Sequence, residues 1–218
     1  MIIITRTIAF FAKLFKETAD IIAPPKKNTF ILESKSGKIL VPKQTISIHN
    51  GHRALTHYDD KNMKLLLHAL KYEKNLAAAG ALGQILLDIL LEEIAEAQMF
   101  LPPESILVTH IPADQRRLRK RGYDHLELIS KELEKNDVSV KELLRKIKST
   151  ARQTKLTAKE RKSNLRGAFE VTESLAGKYI IVFDDITTTG ATLNEARKTL
   201  KKSGAKKVST IAICRAGF

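Results

Sequence analysis

Cys214 is the only cysteine in this 218-residue chain. That excludes an internal disulfide and the paired cysteines of a zinc ribbon, and it suits a reducing cytoplasm. Long uncharged runs are missing too. The amino terminus, residues 1–22, opens on apolar residues but is broken by Arg6, Lys13, Lys16 and Glu17, which leaves too little to span a membrane. It also lacks the apolar centre and small-residue cleavage site of a secretory signal. Aromatic residues make up 6% of the chain, and within or beside its most basic stretch only Tyr123 and Phe169 could stack on bases. No Walker loop, no Ser/His/Asp or Cys/His nucleophilic set, no side-chain metal cluster, no repeat and no low-complexity segment is recognisable.

What the chain does have is basic charge. Lys and Arg number 38 against 24 Asp and Glu, for a formal net charge of +14, which points to anionic substrates or partners without saying which. The excess is concentrated between His110 and Arg166, where 17 basic residues face 8 acidic ones. A hydrophobic content of 43% over this length supports one main domain with room for a small appendage.

Ile8, Phe11, Leu14 and Phe15 fall roughly on one face of an amphipathic amino-terminal helix, ended by Pro24-Pro25 and expected to pack on the body of the protein, with docking on a membrane surface as the alternative. Extended segments at 29–32 and 38–41 form a candidate hairpin around Ser36-Gly37. Helical spacing follows from Asp60 to Tyr72 and again from Leu76 to Phe100. Ile106 to Ile111 reads as a strand running into a proline and a basic loop, with a helix from Asp124 to Lys135. A further strand is expected within Val138 to Leu144, and a long mobile loop from Lys148 to Arg166. Tyr179 to Phe183, Ala191 to Lys202 and Val208 to Ile213 then make a strand, a helix and a strand: the βαβ unit of a parallel sheet, and so an α/β protein.

Between that strand and helix lie Asp184, Asp185, Ile186, Thr187, Thr188, Thr189, Gly190, Ala191 and Thr192. In an open α/β sheet ligands bind at the carboxyl ends of strands. The first N–H groups of the helix, at the positive end of its dipole, suit a phosphate. Gly190 lets the backbone approach an anion closely. Two carboxylates ahead of an anion site would repel a phosphate they touched, so they suit hydroxyl groups or a hydrated cation. A phosphorylated sugar meets both demands. Turn and cap roles would account for one or two of these residues, but not for two adjacent acids, three consecutive threonines and a glycine together.

These residues resemble the phosphoribosyl diphosphate (PRPP) motif of type I phosphoribosyltransferases. More narrowly, the chain resembles the ComF family through Leu70-Lys71-Tyr72, through Ile111-Pro112 with Arg116 and the run Arg119 to Tyr123, and through Arg152-Gln153, Leu156, Arg161, Asn164 and Gly167 to Phe169. The likeness covers residues 55–218, leaving 1–54 as a helix-plus-hairpin appendage. It implies the type I fold, a mostly parallel twisted sheet flanked by helices.

The resemblance implies that Asp184 and Asp185 bind the ribose hydroxyls and that Thr187 to Thr192 enclose the 5′-phosphate. Magnesium would be held mainly through PRPP and water, with Asp184 and Asp185 as further contacts. Pro112, Ala113, Asp114 and Arg116 would approach the pyrophosphate. The loop 149–166, with Arg152, Gln153 and Arg161, would close over the reacting centre. The expected reaction is displacement of pyrophosphate by a nitrogenous acceptor, with Asp184, Asp185 and Arg116 catalytic, Arg119, Arg121, Arg152, Arg161 and Lys71 as further candidate cations, and His110 and His125 as acid–base candidates that also suit structural roles.

Two departures stand out: the family's usual amino-terminal zinc ribbon has no counterpart, and Asp124-His125 stand where Asn-Gln is common. Two other readings stay open. One is a non-catalytic accessory protein that binds single-stranded DNA or the DNA-uptake machinery, and the other is a structural docking protein. The acceptor and the oligomeric state, a homodimer included, also stay open.

Overall fold

The computed structural model describes residue 42 and residues 44–148 and 165–217. The expected amino-terminal helix and hairpin, and nearly all of the 149–166 loop with Arg152, Gln153 and Arg161, lie outside the described residues.

Five strands form the main sheet. They are β1 (Ser47–His49), β2 (His52–His57), β3 (Ile106–His110), β6 (Tyr179–Thr187) and β7 (Lys207–Arg215), in the order β1-β2-β7-β6-β3. All neighbours are parallel except the β1–β2 pair. Asn50 and Gly51 turn that pair with φ of 51° and 75°, the left-handed backbone that a two-residue hairpin requires. The boundary expected at 54/55 therefore falls inside β2, whose pairing with β7 makes residues 47–57 part of the main sheet. A separate two-stranded antiparallel sheet, β4 (Leu144–Lys146) with β5 (Phe169–Val171), flanks the segment 149–164. Within the strand expected at 138–144, Val140 makes a single parallel bridge to Val108, and regular pairing begins only at Leu144.

β6 is buried at every position but Ile186. This fits a central parallel strand covered on both faces, and it explains the unbroken apolar run Tyr179–Phe183. Helix α5 (Ala191–Lys202) packs on β6, β7 and β5, while α2 (Leu76–Gln98) packs on β3 and β7 and against α4 (His125–Glu134). Gly83 permits that last contact, because a Cβ there would stand 3.0 Å from the Cβ of Glu132.

Helix starts follow local chemistry. Asp60 caps α1 (Lys61–Glu73), Asn75 caps α2, Asp114 caps α3 (Gln115–Arg121) and Asp124 caps α4, each with a side-chain oxygen on backbone N–H groups. Such a cap is worth about 1 kcal/mol. Helix α3 corrects the expectation of a loop between Pro112 and Asp124. It buries no residue, so it carries no apolar stripe, and its signals are the Asp114 cap and Gly122, which ends it at φ 80°. A second correction concerns β6, which does not stop at Phe183. Its pairing with β7 continues as Asp184↔Ala212, Ile186↔Cys214 and Thr187↔Arg215, so both acids sit on strand backbone rather than in the loop.

Candidate functional site

The carboxyl end of β6 brings Asp184 and Asp185 together as buried residues, 9% and 7% exposed. Asp184 Oδ1 accepts the Asp185 N–H at 2.9 Å, and Asp185 Oδ1 accepts the Ile186 N–H at 2.8 Å. Asp185 Oδ2 forms an ion pair with Lys71 Nζ, from the last turn of α1, and accepts from His125 Nε2 at 3.1 Å. The ring of His125 is oriented by Arg121, whose guanidinium donates to Nδ1 at 2.7 Å. Because an arginine can only donate, Nδ1 carries a lone pair and Nε2 carries the proton given to Asp185.

The two acids titrate apart. Burial, then the adjacent Asp185 charge, pushes the Asp184 carboxyl well above the usual range. Burial would raise Asp185 too, but the Lys71 ammonium and then His125 hold it well below that range. The two carboxyls thus shift in opposite directions, with Lys71 favouring the anionic form of Asp185.

A second layer lies beside this pair. The backbone N–H of Ile111, just past β3, bonds the Phe183 carbonyl at 2.9 Å, which ties the segment Ile111 to Arg116 to β6. Within it, the Ala113 N–H donates to Asp124 Oδ2 at 2.9 Å and the Arg116 N–H to Asp114 Oδ1 at 3.0 Å. Lys146 of β4 reaches Asp114 Oδ2 at 3.5 Å. Burial lowers the pKa of Lys146, against the pull of Asp114 and Asp184. The Arg116 and Arg119 side chains are exposed on α3. Among the described residues, Lys71 reaches the acid pair directly and Arg121 reaches it through His125. His110 is buried against Ser130, Nδ1 to Oγ 3.1 Å, and burial lowers its pKa.

Past the acids the chain turns into α5 at Gly190, which has φ 75° and gives no side-chain cap. The Thr189 carbonyl accepts from Asn50 Nδ2 at 3.3 Å, so the β1–β2 turn reaches the loop. The His52 ring fills the space a Cβ on residue 190 would need. Among the described residues no group of three or more His, Cys, Asp or Glu is arranged to hold a metal ion.

A phosphoribosyl transferase domain profile matches residues 118–217. The DNA utilization protein YhgH of Escherichia coli O157:H7 is 31% identical over 155 residues, 70% of this chain and 67% of that one. The competence protein F of Haemophilus influenzae is 27% identical over 159 residues, 71% and 68% of the two chains. This chain belongs to the ComF family of type I phosphoribosyltransferase-like proteins. Among solved structures, the hypoxanthine phosphoribosyl transferase of Trypanosoma cruzi aligns over 62% of the chain and 60% of its own, at 13% identity and a TM-score of 0.35.

In this ComF-family chain, sequence reasoning reached both acids and the Thr-Gly loop, since all are contiguous with an unmistakable strand. It named Lys71 only as one basic candidate among several, and it passed over His52 and Lys146. Asn50-Gly51, a strong hairpin signal, could have drawn attention to the strand that carries His52. Nothing local distinguishes Lys146 within a basic stretch.

Proposed function

We propose that the chain binds PRPP at the end of β6 and transfers its phosphoribosyl group to a nitrogenous acceptor with release of pyrophosphate. The observation that carries this reading is the succession, within seven residues, of a buried acid pair and a left-handed glycine that opens α5 without a side-chain cap. The acids suit the ribose hydroxyls, and the start of α5 suits the 5′-phosphate.

In the reaction the bond from carbon 1 to the pyrophosphate oxygen breaks, with its electron pair leaving on pyrophosphate, and a carbon–nitrogen bond forms through a transition state of oxocarbenium character. The chain's part is to position and to neutralise. Lys146 bonds Asp114 and Arg121 reaches Asp185 through His125, and one well-aimed donor to a developing charge is worth roughly 3–4 kcal/mol of barrier. Asp185 Oδ2 already holds the Lys71 ammonium and the His125 N–H, so the pair does not fit a free-standing divalent ion. Magnesium enters this reading as part of the PRPP complex. A cytoplasmic setting accords with the free, buried thiol of Cys214.

Calorimetric titration of PRPP, with and without magnesium, into the intact chain and an Asp184→Asn, Asp185→Asn double variant tests the reading. Binding by the intact chain that the folded variant loses supports it, and no binding by the folded intact chain refutes it. Release of pyrophosphate with a panel of nitrogenous bases then separates transfer from binding.

A second reading, binding of single-stranded DNA, is favoured by one surface. Tyr72 is 71% exposed, its ring 4.9 Å from that of His68. The Arg121 guanidinium lies 5.8 Å from the Tyr72 ring and 6.0 Å from that of Tyr123, and Lys74 stands 5.6 Å over Tyr123. Rings interleaved with cations suit stacked bases and phosphates, and the relatives' names, DNA utilization and competence proteins, agree with this. An oligonucleotide anisotropy titration is expected to weaken steeply with salt and about tenfold in Tyr72→Ala. Binding indifferent to both would remove this reading.

A further inference from the structure

We infer that Lys71 is the resident cation of the acid pair and keeps a free divalent ion off it, so that a metal reaches this end of β6 only as part of an incoming ligand. The inference rests on the acid pair being the ligand site, but it concerns the empty protein.

Among the contacts of the described residues, the one oxygen of the pair that carries two side-chain donors is Asp185 Oδ2. Asp184 Oδ1 and Asp185 Oδ1 each take a backbone N–H, and Asp185 Oδ2 takes Lys71 and His125. A hard dication gathers six or more oxygens and sheds water reluctantly, and at Asp185 Oδ2 it would have to displace the Lys71 ammonium and the His125 N–H. Charge opposes it as well. The Lys71 side chain is only 18% exposed, so its repulsion of a second cation at the same oxygen is weakly screened.

Nor can Lys71 drift away cheaply. It lies in the last turn of α1, where a cation also suits the helix dipole. Tyr123 pins that turn, its hydroxyl donating to the Leu70 carbonyl at 2.7 Å and accepting the Lys74 N–H at 3.0 Å. The bonds grip the residue just before Lys71 and the left-handed cap just after the helix, and so aim the lysine at Asp185. Lys71 is thus a positioning residue, and a ribose that bonds Asp185 Oδ2 must share that oxygen with the ammonium or displace it.

Manganese serves as the probe, with free ion followed by electron paramagnetic resonance in titrations of the full chain without PRPP. The intact protein and Lys71→Arg, which keeps the charge, are expected to show no site at the pair. Lys71→Met and Lys71→Gln, the second retaining a donor without the charge, are expected to bind manganese at least tenfold more tightly. That gain should vanish when Asp184→Asn and Asp185→Asn are added. Circular dichroism checks that each variant is folded. A site in the intact chain that the double Asn variant abolishes overturns the inference, as does failure of either folded neutral variant to gain one. Because no PRPP is present, these outcomes stand apart from success or failure of the PRPP reading.

Discussion

The ring of His52 occupies the place of a side chain on residue 190: a Cβ built on Gly190 would lie 2.5 Å from His52 Cδ2 and 2.6 Å from Nε2. His52 is 1% exposed on β2, and its Nδ1 meets Thr210 Oγ1 at 2.7 Å. Arg197 of α5 in turn donates to Thr210 Oγ1 and to the Gly51 carbonyl. The start of β2, the glycine at the start of α5 and that helix's own arginine thus form one packed unit.

Gly190→Ala is expected to be costly twice over. The left-handed backbone costs a residue with a Cβ about 1–2 kcal/mol, and the His52 ring must also move. Urea denaturation should show a loss of about 2 kcal/mol or more. Adding His52→Ala should return part of it by opening space, but not the backbone share. Equal loss in the single and double variants would show that the ring contact is immaterial.

His52 also shapes stability against pH. Burial first, then the charges of Arg197 and His49, lowers its pKa from the ordinary 6.5 to about 4. The unfolded chain therefore takes up this proton before the folded one does. The stabilisation is fully present above pH 6.5 and is lost as pH falls towards 4, by on the order of 3 kcal/mol. His110, lowered by burial, adds in the same direction. Denaturation curves between pH 7 and 4 should fall along this limb and fall less in His52→Leu; identical slopes would contradict the assignment.

Tyr179→Phe should destabilise the opposite end of β6. The Tyr179 hydroxyl donates to the buried Glu93 of α2 at 2.5 Å, and Arg53 is the other partner of that carboxylate at 3.7 Å. Removing the hydroxyl leaves a buried carboxylate short of a donor, a cost of about 1–3 kcal/mol. Thermal unfolding by circular dichroism measures it. Adding Glu93→Gln to the variant should cost less than the two changes summed.

Tyr123→Phe separates the clamp on α1 from bulk packing. It removes the bonds to Leu70 and Lys74 while keeping the ring, at a cost of about 1 kcal/mol. It should also shift PRPP affinity by loosening Lys71, which holds the Asp185 Oδ2 that the ligand would share or take over. A full loss of binding would show that the hydroxyl touches ligand, and an unchanged affinity would show that the clamp does not bear on the site.

Much of the fold could be read from short stretches. The β6-α5-β7 unit was legible because a two-face-buried strand is apolar throughout, an amphipathic helix keeps its 3.6-residue period, and the loop between them is contiguous. The caps Asp60, Asn75 and Asp124 mark helices that also carry apolar periodicity. Helix α3 was not legible, because a seven-residue helix with no buried face leaves no periodic trace. The end of β6 was misjudged for a related reason: Asp184 and Asp185 look like loop residues until the β7 partners Ala212 and Cys214 extend the ladder past them.

Sequence alone determined the α/β class, the acid pair, the threonine-glycine loop and the basic surplus, since each depends on neighbours along the chain. Tertiary structure alone decided which cation meets which acid. Lys71 and Asp185 lie far apart along the chain, as do His52 and Gly190 and as do Tyr72 and Arg121. An ion pair or a steric fit falls off within a few ångströms in space, whatever the separation along the chain.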